Sequence, residues 1–319
     1  MDQQRRIVCV GMCVLDVIHV VDHYPVEDTD KRCVTGYWQR GGNASNNCSV
    51  LRQLGGAHVE FLGMLSASPA FGFLCEDCHK HGIAIENCPK TEKDPPFSSV
   101  ILNNETGSRT IIHSNPEFPP LEYKHLAQLK LSNYGWVHLE GRNPESVLQF
   151  IKDIRNYNKE MKNTKNQIRI SVDLEKIKDE ILILGESADI VFLGKDLATH
   201  LGWNQPEEAV MGLYDKFKPQ AELNNSKPAI ICPWGAEGAG CVDAQGNYCF
   251  VPSKKVPQIV DSLGAGDTFC AGVIHALQVL NKSLPEAVQI GHSVAGYKLG
   301  HRGYDNIKNF WQDQRENSK

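Results

Sequence analysis

No apolar run in this chain approaches the length needed to span a bilayer, and the stretch after the two N-terminal arginines is broken by Asp16. The chain therefore reads as neither membrane-spanning nor opening on a signal peptide, and a cytoplasmic location is expected. Long basic tracts are also missing. With a formal net charge of -5 over 319 residues, neither nucleic acid nor a membrane is expected as a partner, and a small ligand is the better class. Two nucleotide-site signatures are absent as well. There is no Gly-x4-Gly-Lys-Ser/Thr string, and Phe269 stands where Gly-x-Gly-x-x-Gly requires its last glycine. A P-loop enzyme and a nicotinamide-linked dehydrogenase thus lose support. No internal repeat or low-complexity tract is visible.

What is present describes a large folded chain. A hydrophobic content of 41% suffices for one big α/β domain or two ordinary ones. Eleven cysteines, scattered from Cys9 to Cys270, do not form the close framework of a secreted domain, so reduced thiols are expected. The glycosylation sequences at Asn43, Asn47, Asn104, Asn224 and Asn281 should then be unused.

The most informative stretch is DSLGAGDTF, residues 261–269. Phe269, Val273, Leu277 and Leu280 recur at helical spacing, which predicts a helix beginning near Asp267 with Gly264, Ala265 and Gly266 leading into it. The first amides of a helix lack intrahelical acceptors, and with the dipole they can hold an anion. Asp267 would repel a resting phosphate, but it can take a proton from a hydroxyl attacking that phosphate. A helix-capping aspartate explains most such strings equally well, so a second element must decide.

That element is residues 39–47, QRGGNASNN, where paired glycines open a helix with Ala44, Cys48, Leu51 and Leu54 on one face and Gly55 and Gly56 at its end. Asn43 and Asn46 lie three apart on that helix, and their amides both donate and accept, as neutral polyols require. An N-cap accounts for one asparagine but not the set.

Around these elements the chain alternates strands and helices. Residues 7–15 read as a central strand ending at Asp16, a position where ligands of parallel sheets gather. Residues 59–65, 136–139, 168–174, 189–193 and 229–232 read as further strands, and 71–81, 144–154, 195–200 and 284–299 as helices. Residues 97–102 and 109–113 form a hairpin, with Arg109 just past its turn and able to reach a phosphate. The small-residue turn at 233–240 can admit a planar base or open a hairpin. Cys75, Cys78, His79, His81 and Cys88 suggest zinc, but Phe71, Leu74, Cys75 and Cys78 make an ordinary buried face and no zinc is assigned. Asp173, Glu175 and Asp196 can position a hydrated magnesium ion, a weak signal by itself. Residues 216–227 read as a polar surface loop, and the tail at 306–319 as polar and frayed.

Together, GGNASNNCSVLRQLGG and DSLGAGDTFCAG resemble the two signatures of the ribokinase-like (pfkB) carbohydrate kinases. VVDHYPVEDTDKRC, YWQRGGNASN, HLEGRN and VDSLGAGDTF resemble its ketose-kinase members, and the similarity runs to about Tyr304. The resemblance implies a ribokinase-like three-layer α/β sandwich with a mostly parallel central sheet. It implies one domain over 1–305, with β-lid segments at about 17–40 and 97–113. It implies transfer of the ATP γ-phosphate to the 1-hydroxyl of fructose, with Mg2+ and, as in some relatives, K+. By resemblance Asp267 is the base and Gly264, Ala265 and Gly266 the anion hole. Asp16, Gly42, Asn43 and Asn46 correspond to sugar-binding positions. Arg109 and the turn Gly235, Ala236, Glu237 and Gly238 correspond to ATP-binding positions. The lid resembles one that pairs two subunits as a homodimer, and Asp28 matches a lid residue that approaches the neighbour's site.

This chain departs from the pattern in three places. Gly235-Ala236 replaces Ala-Glu in the nucleotide turn, His292 and Leu299 occupy cysteine positions of the adenine pocket, and the Asn-x-x-Glu magnesium motif is reduced to Leu193 and Asp196. No magnesium ligand is assigned. The alternatives are a ribokinase- or adenosine-kinase-type member, disfavoured by the run at 37–40, and a non-catalytic sugar-sensing protein on the same fold, disfavoured by an intact Asp267.

Overall fold

The computed structural model describes residues 5–115, 117–161, 163–220 and 226–316. In chain order the strands are β1 (Arg6–Val10), β2 (Val14–Val21), β3 (Thr35–Gly41), β4 (Val59–Leu62), β5 (Leu65–Ser66), β6 (Lys90–Thr91), β7 (Phe97–Asn103), β8 (Arg109–Ser114), β9 (Tyr134–Glu140), β10 (Arg169–Leu174), β11 (Ile190–Leu193), β12 (Ala229–Pro233), β13 (Gly238–Val242) and β14 (Tyr248–Pro252). The α-helices are α1 (Asn43–Leu54), α2 (Phe73–Lys80), α3 (Tyr123–Leu126), α4 (Pro144–Glu160), α5 (Leu182–Glu186), α6 (Lys195–His200), α7 (Pro206–Lys216), α8 (Ala265–Gln278), α9 (Leu284–Leu299) and α10 (Ile307–Glu316).

Eight strands form the main sheet in the order β14-β13-β12-β11-β10-β9-β1-β4. From β4 to β12 every pairing is parallel, and β13 and β14 add an antiparallel edge. Burial on both faces explains why these strands read as continuous apolar runs. On β1, Ile7 and Cys9 join one core with α1, α8 and α9 residues such as Leu51, Phe269 and Val288, while Val8 and Val10 join the other with Ile151, Leu197 and Val210 of α4, α6 and α7. The result is a three-layer sandwich.

A second, smaller sheet has the order β3-β2-β7-β8 and holds the segments read as the lid. Its strands correspond to the two segments expected at 17–40 and 97–113. The apolar run at 7–15 is not one strand, however. It divides at 11–13, so Asp16 lies within lid strand β2, opposite Gln39 and Ser98, and not at the end of a central strand. The division has a long-range cause: the Met12 amide donates to Glu140 Oε2 at 2.9 Å, and a side chain at Gly11 would collide with that carboxylate.

One other expectation changes, and one reading left open resolves. The tail does not fray as far as it is described: Ile307, Phe310 and Trp311 recur at helical spacing, and Ile307 and Trp311 are buried against the core. The turn at 233–240 is a β-hairpin, β12 pairing antiparallel with β13. Of the polar segment at 216–227, residues 221–225 lie outside the described residues, as do 317–319 of the tail.

Candidate active site

Helix α8 begins at Ala265, two residues before the expected start, because Gly264 takes a left-handed conformation (φ 70°) and its carbonyl accepts the first helical bond, from Thr268 N–H at 2.9 Å. The amides of Ala265, Gly266 and Asp267 therefore occupy the first turn. Ala265 N–H reaches Ser262 O only at 3.4 Å, and the next two have no intrahelical acceptor. Gly264 is required twice over. Its φ favours glycine, and a Cβ there would collide with the Tyr304 hydroxyl.

Asp267, in this first turn, is 9% exposed and accepts a hydrogen bond from Asn46 Nδ2 at 2.8 Å. This bond joins the two motif helices, 221 residues apart in sequence. Asn43 turns instead to Asp173, donating to its Oδ2 at 3.3 Å. Gly42 has a φ of 94°, with Met12 O so close that a side chain would overlap it. On the lid, buried Asp16 accepts a hydrogen bond from Ser98 and lies so close to Gly41 that a Cβ there would strike its carboxylate.

The electrostatics follow from this crowding. Burial, then the Glu175 charge, pushes the Asp267 carboxyl up to about 7, against the opposing hydrogen bond from Asn46. Burial raises Asp16 to about 6, with Ser98 opposing. Asp173 is raised well above the ordinary carboxylate range by burial, Glu175 and Asp267. Poised carboxylates of this kind suit proton exchange with hydroxyls near neutral pH, and the free amides beside them suit an anion.

The positions expected to bind nucleotide lie on other elements. Gly235, Ala236 and Glu237 are exposed at the β12–β13 turn, where Trp234 N–H donates to Gly238 O at 2.7 Å. Gly238 is buried with φ 139°, and a Cβ there would collide with Val251 and Pro252 backbone. His292, on α9, links β14 to α8: its Nε2 lies 3.2 Å from Val251 O and its ring 5.0 Å from Phe269. Arg109 is exposed at the first residue of β8, within electrostatic reach of Lys298. Asp28 is exposed, with φ 59°, and no hydrogen bond or ion pair joins it to the Asp267 group.

Among the described residues, no three His, Cys, Asp or Glu side chains gather to hold a metal. Asp173, Glu175 and Asp196 thus make no ligand set, because Asp196 is exposed on the first turn of α6 while Asp173 is buried beneath Asn43. Leu74 and Cys78 lie in the apolar core. Several contributors escaped sequence reasoning. Ser98 meets Asp16 through cross-strand register, Tyr304 closes against Gly264 from beyond α9, and Arg40 braces α1 by donating to Ser45 O, the Ser45 and Ser49 hydroxyls and Asp77. Only the Arg40-Gly41-Gly42 adjacency carried any signal of these.

Comparison with known proteins converges on one group. The family model for pfkB family carbohydrate kinases matches residues 4–309. Mouse (Mus musculus) ketohexokinase is 39% identical over 306 residues, covering 96% of this chain and 99% of that protein. Among solved structures, a putative ribokinase from Agrobacterium tumefaciens superposes with a TM-score of 0.79 at 17% identity, covering 98% of this chain and 99% of that one. Arabidopsis thaliana ribokinase complexed with ribose and ATP does so with a TM-score of 0.74 at 19% identity, covering 98% of each chain. These structures share the ribokinase-like fold.

Proposed function

The chain belongs to the pfkB family of carbohydrate kinases, and on that premise we propose that it transfers the γ-phosphate of ATP to the 1-hydroxyl of fructose, giving fructose 1-phosphate and ADP. The observation that carries this reading is the Asn46–Asp267 bond beside the open amides of α8. It sets a polyol-binding amide, a proton acceptor and an anion cradle side by side.

Asn43, Asn46, Gly42 and Asp16 orient the sugar. Deprotonated Asp267 takes the proton of the attacking hydroxyl as its oxygen bonds to the γ-phosphorus, the bond from phosphorus to the bridging oxygen breaks, and ADP leaves. The amides of the 264–266 turn and the first turn of α8 bear the charge that develops. Arg109 and the 235–238 turn face the nucleotide.

The Glu175 charge raises the proton affinity of both Asp173 and Asp267, and this negative potential would suit a hydrated Mg2+ held through water rather than by direct ligands. Bound with ATP, that ion would neutralise phosphate charge. K+ fits less well. In the loop leading to the cradle, the buried Asp261 carboxylate already carries the Lys298 ammonium, and no step is assigned to a monovalent ion. We place the protein in the cytoplasm as a single kinase domain over 1–305 that pairs as a homodimer through its lid, with Asp28 directed at the neighbour's site.

A coupled ADP-release assay across fructose, tagatose, ribose and adenosine tests the reading. Fructose-dependent ADP with fructose 1-phosphate as product is expected. A higher kcat/KM with ribose or adenosine would move the chain to another branch of the family. Fructose binding by calorimetry without turnover on any acceptor would instead make it a sugar-sensing protein.

A further inference from the structure

The loop that delivers the cradle is held by a charge pair with no part in the chemistry above. Lys298, on the last turn of α9, is fully buried, and its Nζ lies 2.6 Å from Asp261 Oδ2 and donates to Asp261 O at 2.9 Å. The Asp261 carboxylate is further engaged by the Leu263 amide at 2.9 Å and the Gly303 amide at 3.1 Å. Val260 N–H and Asp261 N–H donate to Leu299 O at 2.7 and 3.2 Å, so the start of the loop is pinned to the end of α9. The clamp reaches the cradle by two routes: through the chain from Leu263 to Gly264, and through Tyr304, whose ring lies 5.7 Å from the Lys298 Nζ and whose hydroxyl abuts Gly264.

A buried ion pair is a poor stabiliser compared with apolar side chains of the same size, but it fixes one geometry tightly. Here the geometry fixed is that of three amides which must point at a transferring phosphoryl group, where small displacements are costly. We infer that Lys298 and Asp261 are positioning residues for phosphoryl transfer: the ammonium clamps the 260–264 loop so that the first-turn amides of α8 meet the γ-phosphate. This rests on the kinase reading, and the wild-type ADP-release assay decides that reading separately, before any variant is compared.

The test is the turnover and fructose affinity of Lys298→Ala and of the double variant Asp261→Asn/Lys298→Met, which leaves no buried charge unpaired. The clamp predicts kcat lower by about 100-fold in both, with the calorimetric fructose Kd within about threefold, since the sugar is held from α1 and the lid. In Lys298→Ala it further predicts saturable recovery of kcat by methylammonium or ethylammonium, which a merely structural role would not produce. Wild-type kcat in the folded double variant would overturn the inference, as would fructose affinity falling in step with kcat. Should both variants fail to fold, amide exchange in the wild-type protein decides: strong protection of Leu263 and Gly303 is expected, and rapid exchange at either contradicts the clamp.

Discussion

Asp267 is held where its proton is neither firmly bound nor free, and the protein sacrifices stability to keep it so. Burial and the Glu175 charge raise its carboxyl to about 7, so the fraction able to accept a proton climbs through neutrality. The acid limb of kcat/KM should therefore rise with an apparent pKa near 7, and a flat profile from pH 5.5 to 8 would contradict this. The same shift acts on folding. The folded chain binds protons at Asp16 and Asp267 that the unfolded chain releases near 3.8, so the stability they contribute is complete below that pH and is lost as pH rises through about 6 and 7. Asp16→Asn should then gain roughly 1–3 kcal/mol over wild type at pH 8 and little at pH 4, while weakening fructose binding. Thermal unfolding at the two pH values checks the sign. At this scale, motif chemistry singled out Asp267 and Asn46, because glycines, an acid and amides at helix starts have local meanings, whereas Asp16 was singled out as the end of a central strand, which it is not. Ser98 and Tyr304 were not legible, since cross-strand register and the return of a distant segment place them.

At the scale of elements, α1 and α8 must present their first turns to each other, and each is braced by a different device. Arg40 braces α1, its side chain 3% exposed and bonded to Asp77 at 2.7 Å as well as to Ser45 and Ser49. Asp77 is 31% exposed, so losing this partner costs less than a fully buried pair would. Arg40→Met should destabilise by about 2–3 kcal/mol in denaturant unfolding and weaken fructose binding as α1 shifts. Gly264 braces α8 by allowing the chain to turn beneath Tyr304. Gly264→Ala should lower turnover by about 10-fold or more, and adding Tyr304→Phe should restore only part, since φ at 264 still disfavours alanine. Helices α1, α4, α8 and α9 were legible from their period and their glycine or proline starts, whereas α7, which also opens on a proline, was not read. Two boundaries were not. The split at 11–13 depends on Glu140, more than a hundred residues away, and the apolar stripe of α10 is too sparse among polar neighbours to stand out.

For the whole molecule, alternation pointed to a parallel sheet and the resemblance implied a lid, but neither indicated what the second sheet leaves uncovered. Trp38, Val17, Ser99 and Ile112 form one cross-strand row, with Trp38 59% and Ile112 61% exposed. Exposed apolar rows of this kind mark association surfaces, and the row is the face proposed for the homodimer. Ile112→Glu should shift sedimentation from dimer to monomer, and an unchanged dimer would move the interface elsewhere. The proposed function centres on one act, the removal of a proton at the instant a phosphoryl group is received. Its most direct test is Asp267→Asn, with turnover and fructose affinity measured on the same preparation. A kcat lower by about 1,000-fold with the calorimetric Kd for fructose little changed is predicted. Turnover within a factor of ten of wild type would contradict the account.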